Sequence, residues 1–137
     1  MKTSSAIKFV LVVLFLFAAG CEEVFIKPTF TIGTASEFRP NLLYTSSDGH
    51  YTFRITTVND SRCPEGAQCI WAGEVYIRGE WIENNDTTDV EIHSLIAGQQ
   101  KQPDGFTIQI QDAKPYPQIN SVSNPDDLTI TLLITKN

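Results

Sequence analysis

Three cysteines, two histidines and sixteen acidic residues are the groups in this 137-residue chain whose types could support chemistry. Cys63 and Cys69 have five residues between them, whereas zinc knuckles have about two to four, and no histidine pair lies at ligand spacing beside them. His50 and His93 are far apart, and each reads as a surface residue on a strand rather than as a base or ligand. Asp126 with Asp127, or Glu80 with Glu83, could form a carboxylate pair for acid–base work, but scattered acids are expected on a net-negative surface. There is no Gly-x-Ser-x-Gly elbow, no phosphate-binding glycine loop and no His-Glu-x-x-His helix. The sequence therefore predicts no catalytic set, no metal site and no cofactor.

Cys21 belongs to a different chemistry. Lys2 and Lys8 lead into an apolar run from Phe9 to Ala19, which ends in Gly20 and Cys21. Basic residues, an 11-residue apolar core and small residues at the scission point make a signal peptide. A spanning helix would need about 20 apolar residues. The segment Ala18-Ala19-Gly20-Cys21 resembles the lipobox of bacterial lipoproteins, in which the cysteine thiol receives a diacylglycerol and the chain is cut in front of it. The resemblance implies loss of residues 1–20, lipid on Cys21 and a mature protein anchored on a membrane, since more than one acyl chain gives stable attachment. An ordinary secretory signal cut near Ala19, with Cys21 left as a thiol, is the alternative. With Cys21 lipidated, Cys63 and Cys69 remain as an even pair in an exported chain, which predicts a disulfide closing a seven-residue loop.

The stretch from Asn59 to Glu74 carries the most information. Its Asp60-Ser61-Arg62-Cys63-Pro64 segment leads through a short loop to Cys69-Ile70-Trp71-Ala72-Gly73. It resembles small exported bacterial proteins, often lipoproteins, that carry an Asp-Ser-Arg-Cys-Pro…Cys-x-Trp-Ala-Gly motif. That family has no settled activity, so the likeness implies fold and export rather than function, and it extends more loosely to Pro115-Tyr116-Pro117 and the final strand. Physically, the segment reads as a stapled loop between two strands. Pro64 and Gly66 turn the chain, Gly73 permits a bend, and Trp71 is expected to cover the loop base. The planar fork of Arg62 suits a pair with Asp60 or Glu74, or caps on loop carbonyls. A rigid loop of this kind can present a recognition surface, formed by Arg62, Pro64, Glu65, Gly66, Ala67, Gln68 and Trp71 and centred on Pro64 to Gln68. The alternative is that these residues only stabilise a long strand connection. Trp81 has a similar choice between the core and an exposed contact.

The elements that must position this loop are strands. Period-two alternation marks His50 to Val58, a strand running from after Cys69 to about Glu83, Asp89 to Leu95, Phe106 to Gln111 and Leu128 to Thr135, with Phe30 to Ile32 and Leu42 to Tyr44 as shorter candidates. Turns are expected at Asp48-Gly49, Asn84-Asn85-Asp86, Pro103-Asp104-Gly105 and Asn124-Pro125. Gly79 marks a bulge or a close backbone approach, and the prolines at 115 and 117 must break the sheet. About seven strands in a mature chain of 117 residues predict one all-β domain, an antiparallel β-sandwich over 29–137, after a lipidated tether over 21–28.

The chain has 10 basic and 16 acidic residues, and losing Lys2 and Lys8 with the leader leaves a net charge of −8. That excludes a nucleic-acid partner, which needs a basic footprint, and disfavours electrostatic adhesion to anionic lipid. The expected protein is a bacterial envelope lipoprotein on the periplasmic or surface face of a membrane. Its sandwich would be a non-catalytic binding or structural domain, with an envelope protein or a cell-wall component as partner. Two other classes stand beside it: an inhibitor of a secreted hydrolase acting through the stapled loop, and a small hydrolase or metal-dependent enzyme.

Overall fold

The computed structural model describes residues 27–95, 101–121 and 124–137. The expected signal peptide, Cys21 and most of the expected tether fall outside the described residues. The described chain is all-β, with eight strands: β1 (Thr29–Phe30), β2 (Ala35–Phe38), β3 (Leu43–Ser46), β4 (Tyr51–Asp60), β5 (Val75–Glu83), β6 (Asp86–His93), β7 (Phe106–Lys114) and β8 (Thr129–Lys136). One sheet has the order β1-β3-β4-β5-β6 and the other β2-β8-β7. Their inner faces pack as a sandwich. Every pairing is antiparallel except β1 with β3, which is parallel.

The alternation of side chains sets these faces. Phe53, Ile55 and Val58 of β4, Val75, Ile77 and Trp81 of β5, and Ile130, Leu132 and Ile134 of β8 point inward and are buried. Aromatic rings fill the gap between the sheets, with Phe38 4.6 Å from Tyr44 and Trp81 4.8 Å from Phe106, in tilted rather than face-to-face contacts. Trp81 is thus a core residue. Gly79 meets the close approach expected of it: a Cβ there would lie 2.7 Å from the Arg54 carbonyl oxygen and 2.9 Å from the Phe53 ring. The register of β4 against β5 slips at the same level, between Ile55 and Thr57. A second slip, between Ile110 and Asp112, turns Ala113 inward and leaves Asp112 outside.

Several boundaries differ from the sequence expectation. The strand expected directly after Cys69 begins only at Val75, because Gly73 sits in the left-handed region (φ +69°) and interrupts the extended chain. β6 begins at Asp86 rather than Asp89, because Asn84 and Asn85, both at positive φ, alone make a two-residue hairpin turn. The candidate strand at Phe30 to Ile32 is replaced by two short ones, β1 and β2, which raises the count from about seven to eight.

The two ends of the sandwich differ. Asp60, Val75, His93, Lys114 and Thr129 are strand ends that meet at one, the loop end, together with the stapled segment. The other, the turn end, holds the connections at Ser47 to Gly49, Asn84-Asn85 and Pro103 to Gly105. Among the described residues no helix is long and apolar enough to cross a membrane.

Candidate functional site

The stapled loop is built outward from Arg62. Leaving β4, Asp60 accepts the Arg62 backbone N–H at Oδ1 (3.1 Å), which folds the chain back on itself. The guanidinium then closes a two-pronged pair: Nε donates to Asp60 Oδ1 at 2.8 Å and Nη2 to Oδ2 at 2.7 Å. Its remaining donors cross to the other sheet, Nη1 to the Ala113 carbonyl (2.7 Å) and Nη2 to the Pro115 carbonyl (3.1 Å). The Tyr116 ring lies 4.5 Å from the guanidinium carbon. Hydrogen bonding to Asp60 holds the Arg62 pKa above its ordinary value, so the guanidinium carries its charge throughout the accessible pH range. Of the partners open to Arg62, the structure selects Asp60 and carbonyls. Glu74 instead bonds His93 Nδ1 through Oε1 (3.0 Å), with Tyr76 packed on the imidazole.

The other side of the loop returns along the same path. Cys63 N–H donates to the Ala72 carbonyl and Ser61 N–H to that of Glu74, two irregular rungs that continue the β4–β5 ladder. Gly73 is indispensable between them, since a Cβ there would lie 1.8 Å from the Ser61 carbonyl oxygen. Cys63 and Cys69 are disulfide-bonded across this neck. Within the closed loop Gly66 adopts φ +86°. Glu65 N–H donates to the Pro117 carbonyl at 2.9 Å, and Gln118 Nε2 donates to Glu65 Oε2 at 2.6 Å. Pro64 and Ala67 are half-buried, while Glu65, Gly66 and Gln68 are exposed. The segment from Pro64 to Gln68 is therefore fastened to the Pro-Tyr-Pro region, not projecting from it.

What projects is the pair that follows. Trp71 is 82% exposed and Ile70 95%. The expectation that Trp71 covers the loop base is overturned, because the fork of Arg62 occupies that base and the Gly73 approach closes it. Trp71 instead forms one wall of a shallow cavity of about 480 Å³ with Leu95, Ala72, Gly73, Ser61 and Glu74. The second carboxylate oxygen of Glu74 is buried there with no hydrogen-bond partner among the described residues.

Five further large hydrophobic side chains are exposed among the described residues: Leu42, Leu43, Leu95, Tyr116 and Ile119. Leu95, Tyr116 and Ile119 lie at the loop end, whereas Leu42 and Leu43 stand partway along the sheet, Leu43 being paired with Arg54. Leu42 precedes β3 and Leu43 opens it, Leu95 follows β6 beside Glu74, and Tyr116 and Ile119 flank the Glu65–Gln118 contact. Sequence reasoning reached Trp71 but missed these, and it missed Ile70. The available signal was an Ile-Trp pair set among glycines, outside any period-two pattern, where neither side chain has a core face to join.

At the turn end lies a cavity of about 410 Å³ lined by Trp81, Glu83, Asp86, Lys101 and Asp104, among others. It gathers three carboxylates. Asp86 and Asp104 are exposed and Glu83 half-buried, so water solvates them. Among the described residues no group of three His, Cys, Asp or Glu side chains could hold a metal ion. Of the two histidines, His50 is exposed and His93 is half-buried against Glu74.

No family model matches the chain, and neither the curated proteins nor the solved structures give a match.

Proposed function

We propose that this chain is a lipid-anchored protein of the bacterial cell envelope whose sandwich is a non-catalytic binding domain that makes its contacts through the loop end. The leader and the lipobox-like Ala18-Ala19-Gly20-Cys21 segment support the anchor. One observation carries the binding role: five of the seven large hydrophobic side chains left exposed among the described residues, Ile70, Trp71, Leu95, Tyr116 and Ile119, gather at the end built around Arg62. Burying exposed apolar surface is the general driving force for association, and contiguous patches of it mark contact sites. Arg62 and the disulfide hold the loop in one shape, so little ordering cost attends binding.

The anchor is tested by Cys21→Ser in the producing cell, which is expected to release the protein from membranes and abolish labelling by a fatty-acid analogue. The contact surface is tested by placing a photo-crosslinking side chain at Ile70 and, separately, at Asn85 on the opposite end. Envelope components should crosslink at position 70 and not at 85. Equal crosslinking at both, or none at 70, rules out the loop end as the contact surface.

A further inference from the structure

We infer that the loop end docks on the bilayer that carries the anchor, with Ile70 and Trp71 entering its interfacial zone and the turn end facing away. The inference rests on the anchored reading above and names the partner of its contact surface.

The direction of the chain is the first observation. β1 runs parallel to β3, with Thr29 opposite Thr45, and the Pro28 carbonyl accepts from Thr45 N–H at 3.0 Å. Followed backward from Thr29, the chain therefore heads toward the loop end, reaching Lys27 near the level of Leu43, which pairs with Arg54. From Arg54 to Asp60 the strand advances about 20 Å at roughly 3.3 Å per residue. The six residue steps from Lys27 back to Cys21 span at most about 20 Å when fully extended. Lipid on Cys21 can thus reach the level of the stapled loop and little farther, which holds the loop end against the membrane surface.

The side chains are the second. An exposed tryptophan beside an exposed isoleucine matches the interfacial zone, where an indole buries its ring and keeps its N–H among the headgroups. Leu95, 65% exposed, borders the same shallow cavity as Trp71. No comparable apolar side chain is exposed at the turn end among the described residues.

Charge is the third. Asp48, Asp86 and Asp104 lie at the turn end together with Lys101 and Lys136, and Arg39, Arg62 and Lys114 lie at the loop end. Asp60, Glu74 and Asp112 of the loop end are already paired with Arg62, His93 and Lys114, but Glu65, Asp126 and Asp127 remain there. Attraction to anionic lipid is therefore absent, and docking is apolar, favouring zwitterionic headgroups.

The test uses the two tryptophans. The lipidated protein is reconstituted in phosphatidylcholine vesicles carrying bromine at shallow acyl positions. Trp81, 2% exposed, is a constant background. The expected reading is a blue shift and loss of intensity that Trp71→Phe abolishes, together with no loss from a tryptophan introduced by His50→Trp on the Trp71→Phe background. Vesicles containing phosphatidylglycerol should quench no more strongly. Membrane-bound, fatty-acid-labelled protein whose Trp71 stays unquenched overturns the docking and leaves the anchor standing. Unlabelled protein free in solution overturns both, and Trp71 covered by a co-purifying protein instead of lipid overturns the docking alone.

Discussion

Replacing Arg62 by methionine keeps much of the stem and removes the fork. Four side-chain hydrogen bonds go with it, two to Asp60 and one each to the carbonyls of Ala113 and Pro115. The losses are unequal. Asp60 is 6% exposed at its side chain and Ala113 3%, so water cannot replace the lost donors there, whereas Pro115 is exposed and water can. Removing one member of a buried pair costs about 3–5 kcal/mol. Arg62 itself is 12% exposed, and Asp60 keeps the backbone N–H of residue 62, which places the expected loss near the lower bound, at about 3 kcal/mol. For a domain of this size that is a fall in melting temperature of about 10–15 °C. Thermal unfolding followed by Trp81 emission measures it, and Asp60→Asn with the double variant completes a cycle in which the two losses must not add. Arg62→Lys should fall between, since a single ammonium cannot fork to the carboxylate and reach both carbonyls. A melting temperature for Arg62→Met within about 2 °C of the parent would refute the view that Arg62 ties the loop to the second sheet, and strict additivity in the cycle would refute its pairing with Asp60.

Gly73→Ala should destabilise by more than the roughly 1–2 kcal/mol of left-handed strain alone, because its Cβ would strike the Ser61 backbone. Gly49→Ala, which meets nothing within 4 Å, should lose only that strain, and urea midpoints compare the two. Converting both Cys63 and Cys69 to serine should cost about 2–2.5 kcal/mol, the chain-entropy value for so short a loop, with the midpoint again as readout. Asp48 is held below the ordinary carboxylate pKa by the Ser46 hydroxyl and the His50 amide, and Asp112 by Lys114. Carboxylates lowered in the folded state contribute stability at neutral pH that is lost as pH falls below the ordinary carboxylate value and through the folded one. The stability difference between the parent and Asp48→Asn should therefore shrink toward zero on acidification, and a difference that grows would contradict the assignment.

The fold was readable wherever burial follows the pleat. Phe53 and Ile55, Val75, Ile77 and Trp81, and the run from Ile130 to Ile134 announce their strands because every second residue meets the opposing sheet. β2 was not readable, since only Phe38 of Ala-Ser-Glu-Phe is buried. The Asp60–Arg62 pair was within reach because its partners lie two residues apart. The carbonyls of Ala113 and Pro115 were not, as they lie 51 and 53 residues away and a backbone acceptor has no residue type to reveal it. The exposure of Trp71 escaped for the same reason: the loop base is filled by a contact across the sandwich, which local sequence does not encode.

Hydrogen exchange on the lipidated protein, free in detergent-exchanged solution and then on phosphatidylcholine vesicles, tests the central claim most directly. The account predicts added protection over residues 67–73 and at Leu95, with Asn84, Asn85 and the turn at Ser47 to Gly49 unchanged. Protection at the turn end, or none at 67–73 while the protein remains vesicle-bound, would contradict it.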